Sequence, residues 1–114
     1  MTAGEGARFE NACAAMLLGH AHALQDLEGR DTTLHYIRQK QGAEVDFALC
    51  EGGEPVVLAE CKHSDAAVSR FLAELSARFP KAQAVQLVRE LRQEQTRGAV
   101  SVVHAGGWLA EMAA

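Results

Sequence analysis

The chain has 114 residues, 48% of them hydrophobic, and a formal net charge of −4. That length predicts one domain spanning residues 1–114, and the apolar content, with two prolines, excludes a disordered chain. No apolar run approaches the roughly 18–20 residues of a membrane helix, and the net acidity lacks the basic surplus typical of nucleic-acid binders while leaving room for a local basic patch.

Three cysteines, Cys13, Cys50 and Cys61, form no C-x-x-C pair, which fits a reduced, cytoplasmic protein. No early basic-plus-apolar segment suggests a signal peptide.

Residues 6–25 read as a helix, because Phe9, Cys13, Met16, Leu17, His20 and Leu24 recur on one face. The polar stretch 26–31 contains Gly29 and reads as a connection. Thr32 to Gln39 is rich in β-branched and aromatic residues and predicts a strand. Gln41-Gly42 marks a turn. From Ala43 to Cys50 the chain alternates, with Val45, Phe47 and Leu49 on one side and Glu44, Asp46 and Ala48 on the other. Glu51 to Pro55 is a second turn. Val56 to Lys62 is nearly all apolar until its end, as in a strand buried on both faces. Ser64 is placed to cap a helix over 65–78, with Val68, Leu72, Leu75 and Phe79 inward and Pro80 as the stop. Ala84 to Val88 predicts a strand, 89–98 an exposed polar loop, and Ala99 to His104 a last short strand. Trp108, Leu109 and Met112 suggest a closing helix. The order α-β-β-β-α-β-β-α implies an α/β fold with a mixed central sheet flanked by helices.

One feature of this plan is costly. Asp46, Glu60 and Lys62 stand in strands otherwise bound for a core. If the second and third strands pair as a hairpin about Gly53, Asp46 falls opposite Glu60, and opposed residues share a sheet face. Lys62 joins that face because side chains repeat every second residue. Adjacent carboxylates repel unless a proton or cation lies between them. A hard divalent ion, Mg²⁺ or Mn²⁺, suits two carboxylates plus waters and phosphate oxygens. A lysine beside such a site can orient a water or offset charge on a phosphate. The same residues also fit a solvated ion pair at strand ends, worth under about 1 kcal/mol.

The full set of motifs resembles the PD-(D/E)xK nuclease superfamily, with its restriction-endonuclease-like core. More closely, it resembles the nuclease-like C-terminal domain of prokaryotic AAA+-type ATPases. The resemblance is carried by Gly6-Ala7-Arg8-Phe9-Glu10, Leu34-His35-Tyr36-Ile37-Arg38, Gly42-Ala43-Glu44-Val45-Asp46-Phe47 and Ala59-Glu60-Cys61-Lys62. Phe79-Pro80, Val85-Gln86-Leu87-Val88 and Trp108-Leu109 also fit. It implies Asp46 and Glu60 as metal ligands, Lys62 as the catalytic lysine and Glu10 as a further acid completing the site. It implies metal-dependent hydrolysis of nucleic-acid phosphodiester bonds, with DNA favoured by analogy, and an ATPase partner. No G-x-x-x-x-G-K-[ST] phosphate loop is present in the chain. Cys61 replaces the usual aliphatic residue.

Arg38 and Lys40, two apart on the strand before Asp46, are expected to contact phosphate, and His63 to contact substrate. Arg89, Arg92 and Arg97 alternate with Glu90 and Glu94 and read as a solvated face. His20 and His22 lie too far around a helix to chelate one ion. A homodimer would let so small a domain span a duplex. The alternatives are a catalytically silent nucleic-acid-binding module, or a protein-interaction module serving an ATPase.

Overall fold

The computed structural model describes residues 3–38, 45–64 and 67–113; the side chains at 3–7, 38, 45, 46, 63 and 113 lie outside that description. The elements in chain order are α1 (Ala3–Glu28), β1 (Thr32–Arg38), β2 (Val45–Glu51), β3 (Glu54–Ser64), α2 (Arg70–Arg78), β4 (Gln83–Glu90), β5 (Gln95–Arg97), β6 (Val100–His104) and α3 (Ala105–Ala113). The expected α/β architecture is present, with one strand added. The six strands form a mixed sheet in the order β1-β2-β3-β4-β6-β5. β1, β2 and β3 run antiparallel, β3, β4 and β6 run parallel, and β5 returns antiparallel along β6.

The sheet separates two cores. On one face α1 and α3 bury Cys13, Ala14, Leu17 and Leu109 against Phe47, Ala59, Cys61, Val85 and Leu87. On the other, α2 buries Leu72 and Leu75 against Ala48, Cys50, Leu58, Ala84 and Val100. The strict alternation of Phe47 with Ala48, and of Ala59 with Leu58, follows from the two-residue repeat of a strand. Each fully buried leucine contributes about 1.5–3 kcal/mol of transfer free energy.

Three local expectations need correction. Met16 is 44% exposed; it lies about 60° around the helix from Cys13, outside the arc that reaches the sheet. Ser64 does not cap α2. It ends β3, paired with Glu90, because β4 offers it a backbone partner. The cap is Ser69, in extended backbone (φ −58°, ψ 130°), whose side chain accepts from the Leu72 amide. Finally, β5 lies inside the stretch expected to be loop. It is exposed along its whole length, so it pairs through backbone alone and carries no apolar signal.

The β2–β3 hairpin decides what faces what. Gly52 and Gly53 turn the chain with φ of +61° and +83°, a backbone that favours glycine at both central positions of a two-residue turn. Such a turn pairs Glu51 with Glu54 and Cys50 with Pro55. Continued without interruption, it would set position 46 opposite Ala59. A β-bulge beyond Cys50 intervenes, so that Leu49 pairs with Val57 and Val56 is passed over. Position 46 then stands opposite Glu60.

Candidate active site

The register gathers a row across the centre of the sheet. Position 46 on β2 faces Glu60 on β3, and Glu60 faces Gln86 on β4. By parity this row belongs to the α2 face, with Leu58 and Ala84. Lys62 lies on the same face, two residues on. Its Nζ is 3.1 Å from Glu60 Oε1, with the glutamate side chain 0% and the lysine side chain 15% exposed. A carboxylate so buried is costly unless paired; the ammonium provides that pairing and keeps an opening to solvent at the strand end.

Gln86 is fully buried in the middle of the apolar run of β4 from Ala84 to Val88. Its Oε1 accepts the Ser69 backbone N–H at 3.2 Å. The row is thereby tied to the start of α2, which in turn covers Leu58 and Ala84. No acid, base or ligand spacing in the sequence singles out Gln86. The available signal was an amide between two valine-containing halves of a buried strand, Val85-Gln86-Leu87.

A family model, described as a domain of unknown function (DUF4143), matches residues 5–106. The chain belongs to the DUF4143 family. A comparison with curated proteins returns no match.

The other expected residues of this DUF4143 domain are placed more loosely. Glu10 is on α1, which packs on the opposite face of the sheet; its charge is felt by Cys13 and Cys61 there. Position 38 pairs with Val45 and position 63 lies between Lys62 and Ser64, so both fall one residue out of step with the 46–60–86 row. The side chains of Arg38, Asp46 and His63, and the whole of Lys40, lie outside the described residues. Among the described residues no group of three His, Cys, Asp or Glu is close enough to hold a metal ion, and no helix is long and apolar enough to cross a membrane.

The residue between Glu60 and Lys62 faces the other way. Cys61 packs against Cys13 in the α1 core. Its thiol is pushed far up, first by the hydrogen bond with Cys13, then by burial, with the charges of Cys13, Glu10 and Glu60 adding to it. All three cysteines are free and buried, and burial also raises the Cys50 thiol. The Cys13 thiol is shifted down by the same hydrogen bond that raises Cys61, and all three thiols lie within the packed cores.

Proposed function

We propose that this domain is a metal-dependent nuclease of the PD-(D/E)xK type, hydrolysing phosphodiester bonds of nucleic acid, DNA in the first instance. The observation that carries the reading is the bulged register that opposes position 46 to Glu60 while Lys62 pairs with Glu60 at 3.1 Å. By register and parity, acids at 46 and 60 with the Lys62 ammonium would make a hard oxygen donor set with its own counter-charge. That chemistry fits a small divalent cation such as Mg²⁺ or Mn²⁺, with Asp46 and Glu60 as the residues that would hold it; Glu10, expected to assist, lies on the α1 side of the sheet and stays outside this set. When bound, such an ion supplies Lewis-acid charge to the phosphate oxygens.

The chain's own groups do the rest. Glu60, fixed by the sheet on both sides, gives the site a rigid carboxylate. Lys62, at the solvent-facing end, is positioned to orient an attacking water and to offset charge gathering on the phosphate. Gln86 holds α2 against the row through Ser69. Arg38, Lys40 and His63 are assigned to substrate contact. A cytoplasmic location, a homodimer that reaches two strands and association with an ATPase partner complete the reading.

A second reading is a silent nucleic-acid-binding or protein-interaction module. The full burial of Glu60 favours it, since a carboxylate without solvent access meets substrate only after the pocket opens. Plasmid nicking with Mg²⁺ or Mn²⁺ separates the two. The nuclease predicts conversion of supercoiled to nicked circles by the wild type and loss of at least 100-fold in Lys62→Ala and Asp46→Asn, each still folded. Equal nicking by wild type and Lys62→Ala, or none by either, rejects it.

A further inference from the structure

A different part of the molecule offers a place for substrate. Two open cavities meet at Arg89. The larger, about 810 Å³, lies where β3, β4 and β6 end, and is lined by Ser64, Arg89, Glu90, Leu91, Arg92 and His104. The smaller, about 360 Å³, lies against α1 and is lined by Arg8, Phe9, Ala12 and Arg89. Carboxyl ends of parallel strands are where open α/β sheets bind ligands. Arg89 lines both cavities, and the two together, taken as one trough, carry guanidinium groups from α1, the end of β4 and the segment beyond it.

The charge along this trough runs against the net acidity of the chain. Glu90 is the acid in the lining, against Arg8, Arg89 and Arg92. Glu94 nearby accepts the His104 backbone N–H at 2.8 Å. His104 also caps α3, its Nδ1 accepting the Gly107 N–H at 3.4 Å. The ring fits because residue 106 is glycine; a Cβ there would stand 3.2 Å from His104 Cε1.

We propose that the trough holds the backbone of a single-stranded nucleic acid, with Arg8, Arg89 and Arg92 on phosphates and Phe9 as a stacking surface for a base. Guanidinium groups match phosphate oxygens in bidentate fashion. An aromatic ring among cations is the combination that single strands use, with bases stacked on the ring and phosphates on the cations. A concave trough also admits one flexible strand more readily than a stiff duplex. The inference deepens the nuclease reading and rests on it for direction: Ser64, in the larger cavity, is two residues beyond Lys62 on β3 and shares its sheet face.

The test is fluorescence anisotropy of a labelled twelve-residue oligothymidylate, in EDTA so that binding is read without cleavage. Arg89→Ala should weaken binding at least tenfold and reduce the slope of log K against log salt by about 0.7. Arg8→Ala should weaken it in the same direction, which protects the result should one variant fold poorly; melting curves check each. Arg70→Ala removes the same charge from an exposed position on α2 and should shift binding less than twofold. A duplex of equal length should bind at least tenfold more weakly. The proposal falls if the wild type does not bind, if Arg89→Ala and Arg70→Ala behave alike, or if poly-glutamate competes as well as the oligonucleotide. Binding lost in Arg89→Ala without any plasmid nicking by the wild type would uphold the trough and reject the nuclease. Nicking that needs Lys62 but ignores Arg89 would do the reverse.

Discussion

Lys62→Met isolates the central interaction of the site. Methionine keeps an unbranched apolar stem and removes the ammonium 3.1 Å from Glu60 Oε1. At an effective dielectric constant near 20, that separation corresponds to about 5 kcal/mol of Coulomb attraction. Water at the partly exposed lysine reduces the part that reaches stability. Breaking one side of a buried pair costs about 3–5 kcal/mol because the remaining charge is stranded, and the lower end applies here. A loss of about 3 kcal/mol lowers the melting temperature of a domain this size by about 12 °C. Removing both charges, Glu60→Gln with Lys62→Met, leaves no stranded group and should return stability to within about 1 kcal/mol of wild type. Urea unfolding followed by the fluorescence of Trp108, the single tryptophan, completes the double-mutant cycle. A single variant within 0.5 kcal/mol of wild type, or effects that simply add, would refute the claim that Lys62 neutralises Glu60.

If acids at 46 and 60 hold a divalent ion, 10 mM Mg²⁺ should stabilise the wild type by about 1.4 kcal/mol for a millimolar site, and Asp46→Asn should lose that gain in the same thermal scan. The buried thiols should resist Ellman's reagent in the native protein at pH 8, with Cys50 and Cys61 held above the usual thiol range, and all three should react in guanidinium. The hydrogen bond from Arg30 to Glu51 lowers the Glu51 carboxyl below its ordinary value. Its stabilising effect is therefore present above the unfolded carboxylate value and fades as pH falls through the folded one. Urea midpoints of wild type and Arg30→Ala should differ at pH 7 and converge as the pH falls below the lowered carboxyl value of Glu51.

Much of this was legible in the chain because the site breaks the pattern around it. A carboxylate and a lysine at the end of Val56-Val57-Leu58-Ala59 are conspicuous in a strand meant for burial, and parity alone relates Glu60 to Lys62. The opposition of 46 to 60 was expected from a hairpin centred on Gly53. The structure reaches it differently, through a tighter turn and a skipped Val56. Ser64 and Ser69 have equal local claims to cap α2; the choice is made by Glu90, which extends the ladder along β3, and sequence adjacency cannot reveal that. β5 was missed because Gln95, Thr96 and Arg97 satisfy β6 with backbone atoms while their side chains stay in water. The arginine trough was missed for a related reason. Arg8 and Arg89 are 81 positions apart, and Arg89 looked balanced by its acidic neighbours until the fold brought α1 to it.

The passed-over Val56 gives β3 one residue of slack between the hairpin tip and the charged end. Chain length at that point is thus uncoupled from alignment further along. Excising Val56 should let the ladder close without a gap, with the two acids still facing each other.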